Sequence, residues 1–363
     1  MDTPSKALLT APRRVEDWRF DLLDQAGNLV GELDGVTGGS LDFSIHNTIR
    51  SGGSLDYDGE PLDWNTHLIR VWYILRDHAG VEYGWPWGTF HPATNGGDHT
   101  DTGVTATLTL YDNLLVLDQD GLDTFYTIPA GTPVMQAMEQ VVTGGLVHSP
   151  GFVMDDTAEV VRTDRVWEPV EENTRLRIAN DLAESINYGA LDTTGYGVFE
   201  SRPLGAASSR GIAWEFVDDE NSVYAPDFKH ERDTAAIPNK VVGFVDGDDE
   251  TDGFLAVATD EDPKSPWSYQ SRGRWITRTI EPTEATSQQV LQGQADRALR
   301  DGQQVASSFE IVHDIVPIRL NDAIRFANSA AKIDVRGVAQ SFNISIDFKG
   351  GSEMTTRLRE VIS

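Results

Sequence analysis

The feature that most narrows what this chain can become is a repeated alternation of apolar and polar residues. Near the C-terminus Phe342, Ile344, Ile346 and Phe348 alternate with Asn343, Ser345, Asp347 and Lys349. The same period appears early, where Trp18, Phe20 and Leu22 alternate with Arg19 and Asp21, and Leu41, Phe43 and Ile45 with Asp42 and Ser44. Ile69, Val71, Tyr73 and Leu75 fall on one side of the run 68–75, and Val104, Ala106, Leu108 and Leu110 alternate with threonines. A period of two is that of a β-strand with one face packed inward and the other turned to water or a partner. Asp34-Gly35, Gly38-Gly39, Asp58-Gly59 and Gly96-Gly97 read as the turns between such strands. Several strands at this spacing predict a barrel or a sandwich.

The middle of the chain has a different period. Thr132-Pro133 opens a helix along which Val134, Met138 and Val141 recur, and Gly144-Gly145 closes it. A second helix starts at Asn173 or Thr174, carries Leu176, Ala179, Leu182, Ala183 and Ile186 as its stripe, and stops at Gly189. A strand follows at 196–201. Strands return at 240–245 and 275–280. Thr286, with Gln289 three residues on, opens a third helix that runs to about Arg300. After it Phe309, Ile311 and His313 alternate, then Ile324 and Phe326. The expected organisation is an N-terminal arm (1–16), a β domain (17–120), a mixed α/β segment (121–235), a second β domain with one helix (236–349) and a C-terminal extension (350–363). A length of 363 residues suits two or three domains at about 150 residues each.

Charge excludes several functions. Asp and Glu total 58 against 29 Lys and Arg, a net charge of −29. The six lysines, from Lys6 to Lys349, stand singly. Phosphate binding by counterion release needs clustered cations, so specific nucleic-acid binding is not expected. A surface that nucleic acid slides past without sticking is compatible with the charge, as is plain solubility. The absence of cysteine excludes disulfides, thiolate zinc sites and cysteine nucleophiles. No apolar run reaches the length of about 18 residues that spans a bilayer, and residues 1–14 lack the apolar centre of a signal peptide. The chain is expected to stay in the cytosol unless it leaves inside a larger particle or by lysis.

Motifs of chemistry are missing. There is no phosphate-binding GxxxxGK[ST] loop, no HExxH and no G-x-S-x-G elbow. His46, His67, His78, His91, His99, His148, His230 and His313 have no ligand spacing. No residue is therefore assigned a catalytic, cofactor-binding or metal-ligating role, and no cofactor is expected. In the acidic loop 246–253, Asp248, Glu250, Asp252 and Gly253 match positions 1, 3, 5 and 6 of a calcium-hand loop, but Thr259 stands where the bidentate Glu belongs. A solvated hairpin turn is the expected reading. Trp85 and Trp87, with Tyr83 nearby, could stack on a sugar; the competing reading is a packed corner between two strands. A glycosidase reading has only carboxylate abundance behind it.

The order of elements is more telling than any single residue. Trp85-Pro-Trp-Gly-Thr-Phe90 precedes Val104–Gln119, and Gly131-Thr-Pro133 opens a helix. Asn173–Tyr188 leads to Gly195-Tyr-Gly-Val-Phe199, and Ile237-Pro-Asn-Lys-Val-Val242 precedes the helix 286–299. Pro317-Ile-Arg-Leu-Asn-Asp322 comes next, with Asn321 where a glycine is common, and the strand 338–348 closes the series. In this order the chain resembles the tail-tip and baseplate hub proteins of long-tailed bacteriophages. That family includes the torus hub of the T-even phages, the N-terminal part of siphophage tail-associated proteins, and chains called minor tail proteins.

The resemblance implies a β-rich α+β fold of two β-barrel hub domains (17–120 and 236–349) flanking a mixed α/β segment and assembling as a ring. A homotrimer would present six similar units, joining a sixfold tail tube to a threefold tip around the DNA channel; that acid lines this channel is a linked expectation resting on the charge of −29 and the few lysines. The implied partners are tail tube and distal tail proteins, the tape measure protein, and downstream tip or receptor-binding proteins. The implied location is the distal end of the tail in the virion. The family often carries lytic or receptor-binding domains downstream, and here the sequence ends at Ser363, so an enzyme is not expected. The alternative is a carbohydrate- or receptor-binding tail module.

Overall fold

The computed structural model describes residues 4–11, 14–94, 96–101, 103–186, 188–203, 209–220, 222–231, 235–245, 253–280, 288–303 and 307–361. The capping pair Thr286–Gln289 and all but Gly253 of the acidic loop 246–253 involve residues outside these.

The N-terminal arm holds one short helix, α1 (Lys6–Leu9), capped by the Ser5 hydroxyl. It is pinned down rather than loose. Leu9 is buried in the main core. The almost fully buried Arg14 side chain donates to the Glu16 carboxylate at 2.7 Å and lies 3.7 Å from Asp314.

The N-terminal half then contributes β1 (Val15–Asp24), β2 (Leu29–Glu32), β3 (Val36–Ser44), β4 (Ser51–Gly59), β5 (His67–Arg76), β6 (Glu82–Ala93), β7 (Asp98–Thr100) and β8 (Gly103–Asp112). On β5 the alternating set Ile69, Val71, Tyr73 and Leu75 is fully buried. Leu68, Trp72 and Ile74 are buried too, so β5 is covered on both faces. The Trp72 indole N–H is satisfied by Asp21, 2.7 Å away. Gly38-Gly39 is not a turn; it lies inside β3, opposite β4. Gly39 and Gly53 both have φ of +150°, and a Cβ on them would lie 2.2 Å from the Ser54 carbonyl and 2.0 Å from that of Ser40. The glycines are there because the two backbones approach too closely for a side chain.

The middle segment comprises α2 (Leu114–Asp118), β9 (Tyr126–Ile128), α3 (Val134–Thr143), β10 (Phe152–Met154), β11 (Arg165–Trp167), α4 (Arg175–Ser185), β12 (Asp192–Thr193) and β13 (Phe199–Ser201). Pro133 precedes α3 and Gly144 follows it. The Thr174 hydroxyl caps α4 by accepting from the Arg177 N–H. Val134, Met138 and Val141 pack with Leu176, Ala179 and Leu182 in a core separate from that of the large sheet.

Two strands follow, β14 (Ile212–Val217) and β15 (Tyr224–Glu231). Next come β16 (Lys240–Val245), β17 (Phe254–Thr259), α5 (Tyr269–Arg272), β18 (Thr277–Ile280) and α6 (Gln288–Gln303). The chain closes with β19 (Ser308–His313), β20 (Ala323–Asn328), β21 (Ile333–Ile346) and β22 (Met354–Glu360). β16, β17 and β18 form a sheet of their own. Val241, Ala256 and Ala258 pack on Leu291 and Ala295 of α6, while Phe244, Leu255 and Val257 on the other face stay exposed. β16, β17, β18 and α6, expected within the second β domain, therefore pack around a core of their own. β14 and β15, expected in the middle segment, pair instead with β20 and β19.

Among the described residues the main sheet has 14 strands and runs β15-β19-β22-β21-β3-β4-β8-β6-β5-β1-β2, with β14, β20 and β7 attached at its sides. Its pairings are antiparallel except for β14 with β20. The resemblance implies two barrels, but no closed barrel forms among the described residues. The reason is β21. Its first part pairs with β20, and its second part, from Ser341 to Ile346, pairs with β3 of the N-terminal half. One strand thus serves both halves, and a single core runs across the junction.

Candidate functional site

Where the halves meet the middle segment, a cleft of about 520 Å³ opens. One wall is β6. Its Trp85-Pro86-Trp87 is not a corner between strands but lies within β6, opposite a register shift at Val71/Trp72. A bulge suits Pro86, which has no N–H for the ladder. Trp85 and Trp87 meet edge to face at 5.9 Å, and Trp87 packs on Phe43 and Phe342, each at 5.7 Å. Their indole N–H groups are buried and find no partner among the described residues, so they offer mainly ring surface to the cleft. Tyr83 does not line it.

A second wall is the hairpin joining β12 to β13. Gly197 turns with φ of +81°, and its N–H donates to the Thr194 carbonyl at 2.7 Å. Gly195 sits so close to β6 that a Cβ would lie 2.0 Å from the Pro86 carbonyl oxygen. The Asn113 amide donates to the Gly197 carbonyl at 2.7 Å, and the Thr89 hydroxyl to that of Gly195 at 3.1 Å. The hairpin tip is fixed, and Tyr196 at its apex is 53% exposed. Tyr196 also lines a second cleft, of about 380 Å³, bordered by Arg70, His91 and His148.

The third wall is the turn 317–322. Asn321 has φ of +65°, the left-handed region that glycine and asparagine tolerate best. The Asp322 carboxylate accepts from the Arg319 N–H at 2.8 Å, closing the turn. Arg210 donates to the Asn321 carbonyl at 2.7 Å.

Charges in the cleft are mixed. Arg202 forks onto Glu200 at 2.7 and 2.8 Å, and Arg319 reaches the same carboxylate at 3.3 Å. Burial pushes the Asp322 carboxyl up to about 6, against the pull of Arg202 and Arg210. Asp192 is raised by desolvation, with Arg50 opposing. Arg50 itself makes no side-chain hydrogen bond or ion pair among the described residues. The fully buried Asp112, whose carboxyl holds the cleft residue Ser51, is pushed up to about 7 by burial, although it accepts from the Ser51 N–H and hydroxyl and from the Leu114 N–H.

The histidines are not brought together. His313 is buried between the Asp314 carbonyl and the Thr356 hydroxyl, and desolvation lowers it to about 4. His91 bonds Asn113, and His230 stacks on Phe309. Among the described residues no group of three or more His, Asp or Glu could hold a metal ion. No described helix is long and apolar enough to cross a membrane. Sequence reasoning singles out neither Tyr196 nor Arg50. The signal for Tyr196 is the Gly195-Tyr-Gly197 triplet, which places an aromatic at the apex of a turn.

No protein-family model and no curated protein matches the chain. Solved structures do match over nearly its whole length. The tail protein from Neisseria meningitidis superposes with a TM-score of 0.68 at 13% identity, covering 94% of this chain and 96% of that one. The 43 kDa tail protein of prophage MuSo2 from Shewanella oneidensis gives 0.64 at 13% identity, covering 94% and 98%. The chain has the fold of these tail proteins. The E. coli c3393 protein, a type VI secretion component with structural similarity to the T4 tail proteins gp27 and gp5, shares this fold at a TM-score of 0.51 and 9% identity, covering 94% of this chain and 77% of that one. In this tail-protein fold the cleft lies where the two halves and the helical segment converge.

Proposed function

We propose that the chain is a structural subunit of a long-tailed phage, placed at the distal end of the tail as a homotrimeric hub. The observation that carries this reading is the correspondence of fold over 94% of the chain with two tail proteins, one of them from a prophage, each of which is itself covered almost completely. A strand-rich subunit with exposed sheet edges suits a ring, because closure hides edges that otherwise invite aggregation. Two sheet-bearing halves per chain, taken three times, would supply six similar contacts toward a sixfold tube and three toward a tip. Tail tube, distal tail, tape measure and receptor-binding proteins are the partners this placement calls for. The net charge of −29 suits a channel wall past which DNA slides. The role is one of scaffolding rather than catalysis.

Negative-stain electron microscopy of the purified chain, alone and with tail tube protein, tests the placement. Threefold rings with a central channel are expected. Particles without rotational symmetry under both conditions would contradict it. A ring whose inner wall is basic would remove the channel argument alone.

A further inference from the structure

We infer that the interlobe cleft, extended over Tyr196 into its neighbour, is a groove that binds an oligosaccharide. This goes beyond the hub reading and does not depend on it. The main cleft's 520 Å³ lies within the roughly 300–1,000 Å³ of small-ligand sites. Tyr196 lines both clefts, so a ligand longer than one cavity would cross its ring. That ring is held in place: the Arg70 guanidinium lies 5.2 Å from its centroid, and Trp72 meets it edge-on at 5.8 Å. A fixed, exposed aromatic is a platform for the C–H face of a sugar, supplied at low entropic cost.

The rim matches the other face of a sugar. Hydroxyl groups both donate and accept, and the cleft offers both functions in fixed positions. Glu200 is an acceptor oriented by Arg202 and Arg319. Arg50 is a donor that, among the described residues, is committed to no side chain. Asp192 and Asp322 add further carboxylates to the lining. Arginines and carboxylates are nearly balanced here, whereas the whole chain carries −29. A polyanion such as nucleic acid would meet these carboxylates and the surrounding negative field.

A peptide adding itself as a strand is the main competitor, and the backbone disfavours it. At the cleft β6 presents Pro86, which has no N–H to donate, while its carbonyl is covered by Gly195. The centre of the available edge therefore lacks both partners that an added strand needs.

The test uses the full chain on an array of neutral and anionic oligosaccharides of two to eight sugars, followed by calorimetric titration of the hits, with chitohexaose and cellohexaose titrated in every case. Tyr196→Ala and Arg50→Gln are compared with Trp275→Ala, an exposed aromatic outside both clefts. Unchanged melting temperatures show that the variants fold. The expected result is saturable binding of at least one saccharide, weakened about tenfold or more by each cleft variant and unaffected by Trp275→Ala. No saturable binding on the array or in titration overturns the proposal. So does binding that Tyr196→Ala and Arg50→Gln leave unchanged. An overlapping peptide array that binds in a Tyr196-dependent manner, with no saccharide hit, would make the cleft a peptide dock instead.

Discussion

The ring of Phe43, in the N-terminal half, lies on the ring of Phe342, in the C-terminal half, with centroids 4.4 Å apart and planes 25° apart. The two residues are also register partners across the β3–β21 ladder. They stand where the sheet passes from one half of the chain to the other, and Trp87 closes over both.

Phe342→Ala should therefore cost about 3–5 kcal/mol, the usual range for emptying an aromatic core site, whereas Phe342→Leu, which leaves a smaller gap, should cost clearly less. Because β21 pairs with strands of both halves, the fluorescence of N-terminal tryptophans and the circular dichroism of the sheet should report the loss in one shared denaturant transition. Separate transitions for the two halves in the wild-type chain would show that the shared strand does not couple them.

Asp112 should make stability fall as pH rises. Its folded carboxyl is pushed up to about 7 by burial, while an unfolded aspartate titrates near 3.8. Between those values the folded state keeps a proton that the unfolded state has lost, so this group's contribution is full below about pH 4 and is lost toward about pH 7. Ionising it in place costs about 4 kcal/mol at most. His313, lowered to about 4, works in the opposite direction, so the sum over groups hides the effect. The difference in unfolding free energy between wild type and Asp112→Asn isolates it, because the amide does not titrate. From about pH 4.5 to about pH 7.5 the wild type should lose roughly 2–4 kcal/mol relative to Asp112→Asn. A difference that stays constant across this range would contradict the assignment.

Asn321→Gly should be tolerated and Asn321→Val should not. With φ of +65°, Asn321 occupies a conformation that costs a β-branched residue about 1–2 kcal/mol or more. Its contact with Arg210 uses the backbone carbonyl, which glycine keeps. Thermal melting of the two variants checks this, and equal melting temperatures would rule out strain at the turn.

Much of the fold could be read from local pattern. The alternation at Ile69–Leu75, the Pro133 and Thr174 helix starts and the strand through Phe342 and Ile344 are set by neighbours in sequence, although that strand ends at Ile346 and leaves Phe348, read as its last inward residue, outside it and exposed. What could not be read is pairing between distant residues. Trp214 and Phe216 alternate as plainly as Phe342 and Ile344, yet nothing near them shows that β14 lies parallel to β20, more than 100 residues on. Gly38-Gly39 has turn composition but answers to a close backbone crossing with β4, visible only once the strands are paired. The cleft is illegible for the same reason: Trp87, Tyr196 and Arg319 come from three parts of the chain. Asn321 is the exception, since a position where glycine is common, filled by asparagine, already implies a left-handed turn.

The central claim, a homotrimeric tail hub, is tested most directly by mass photometry of the chain alone and mixed with tail tube and distal tail proteins. Three copies of the 40.0 kDa chain make a particle of about 120 kDa, which should appear alone or as the core of a larger complex. A strict monomer of 40.0 kDa in the presence of those partners would contradict it.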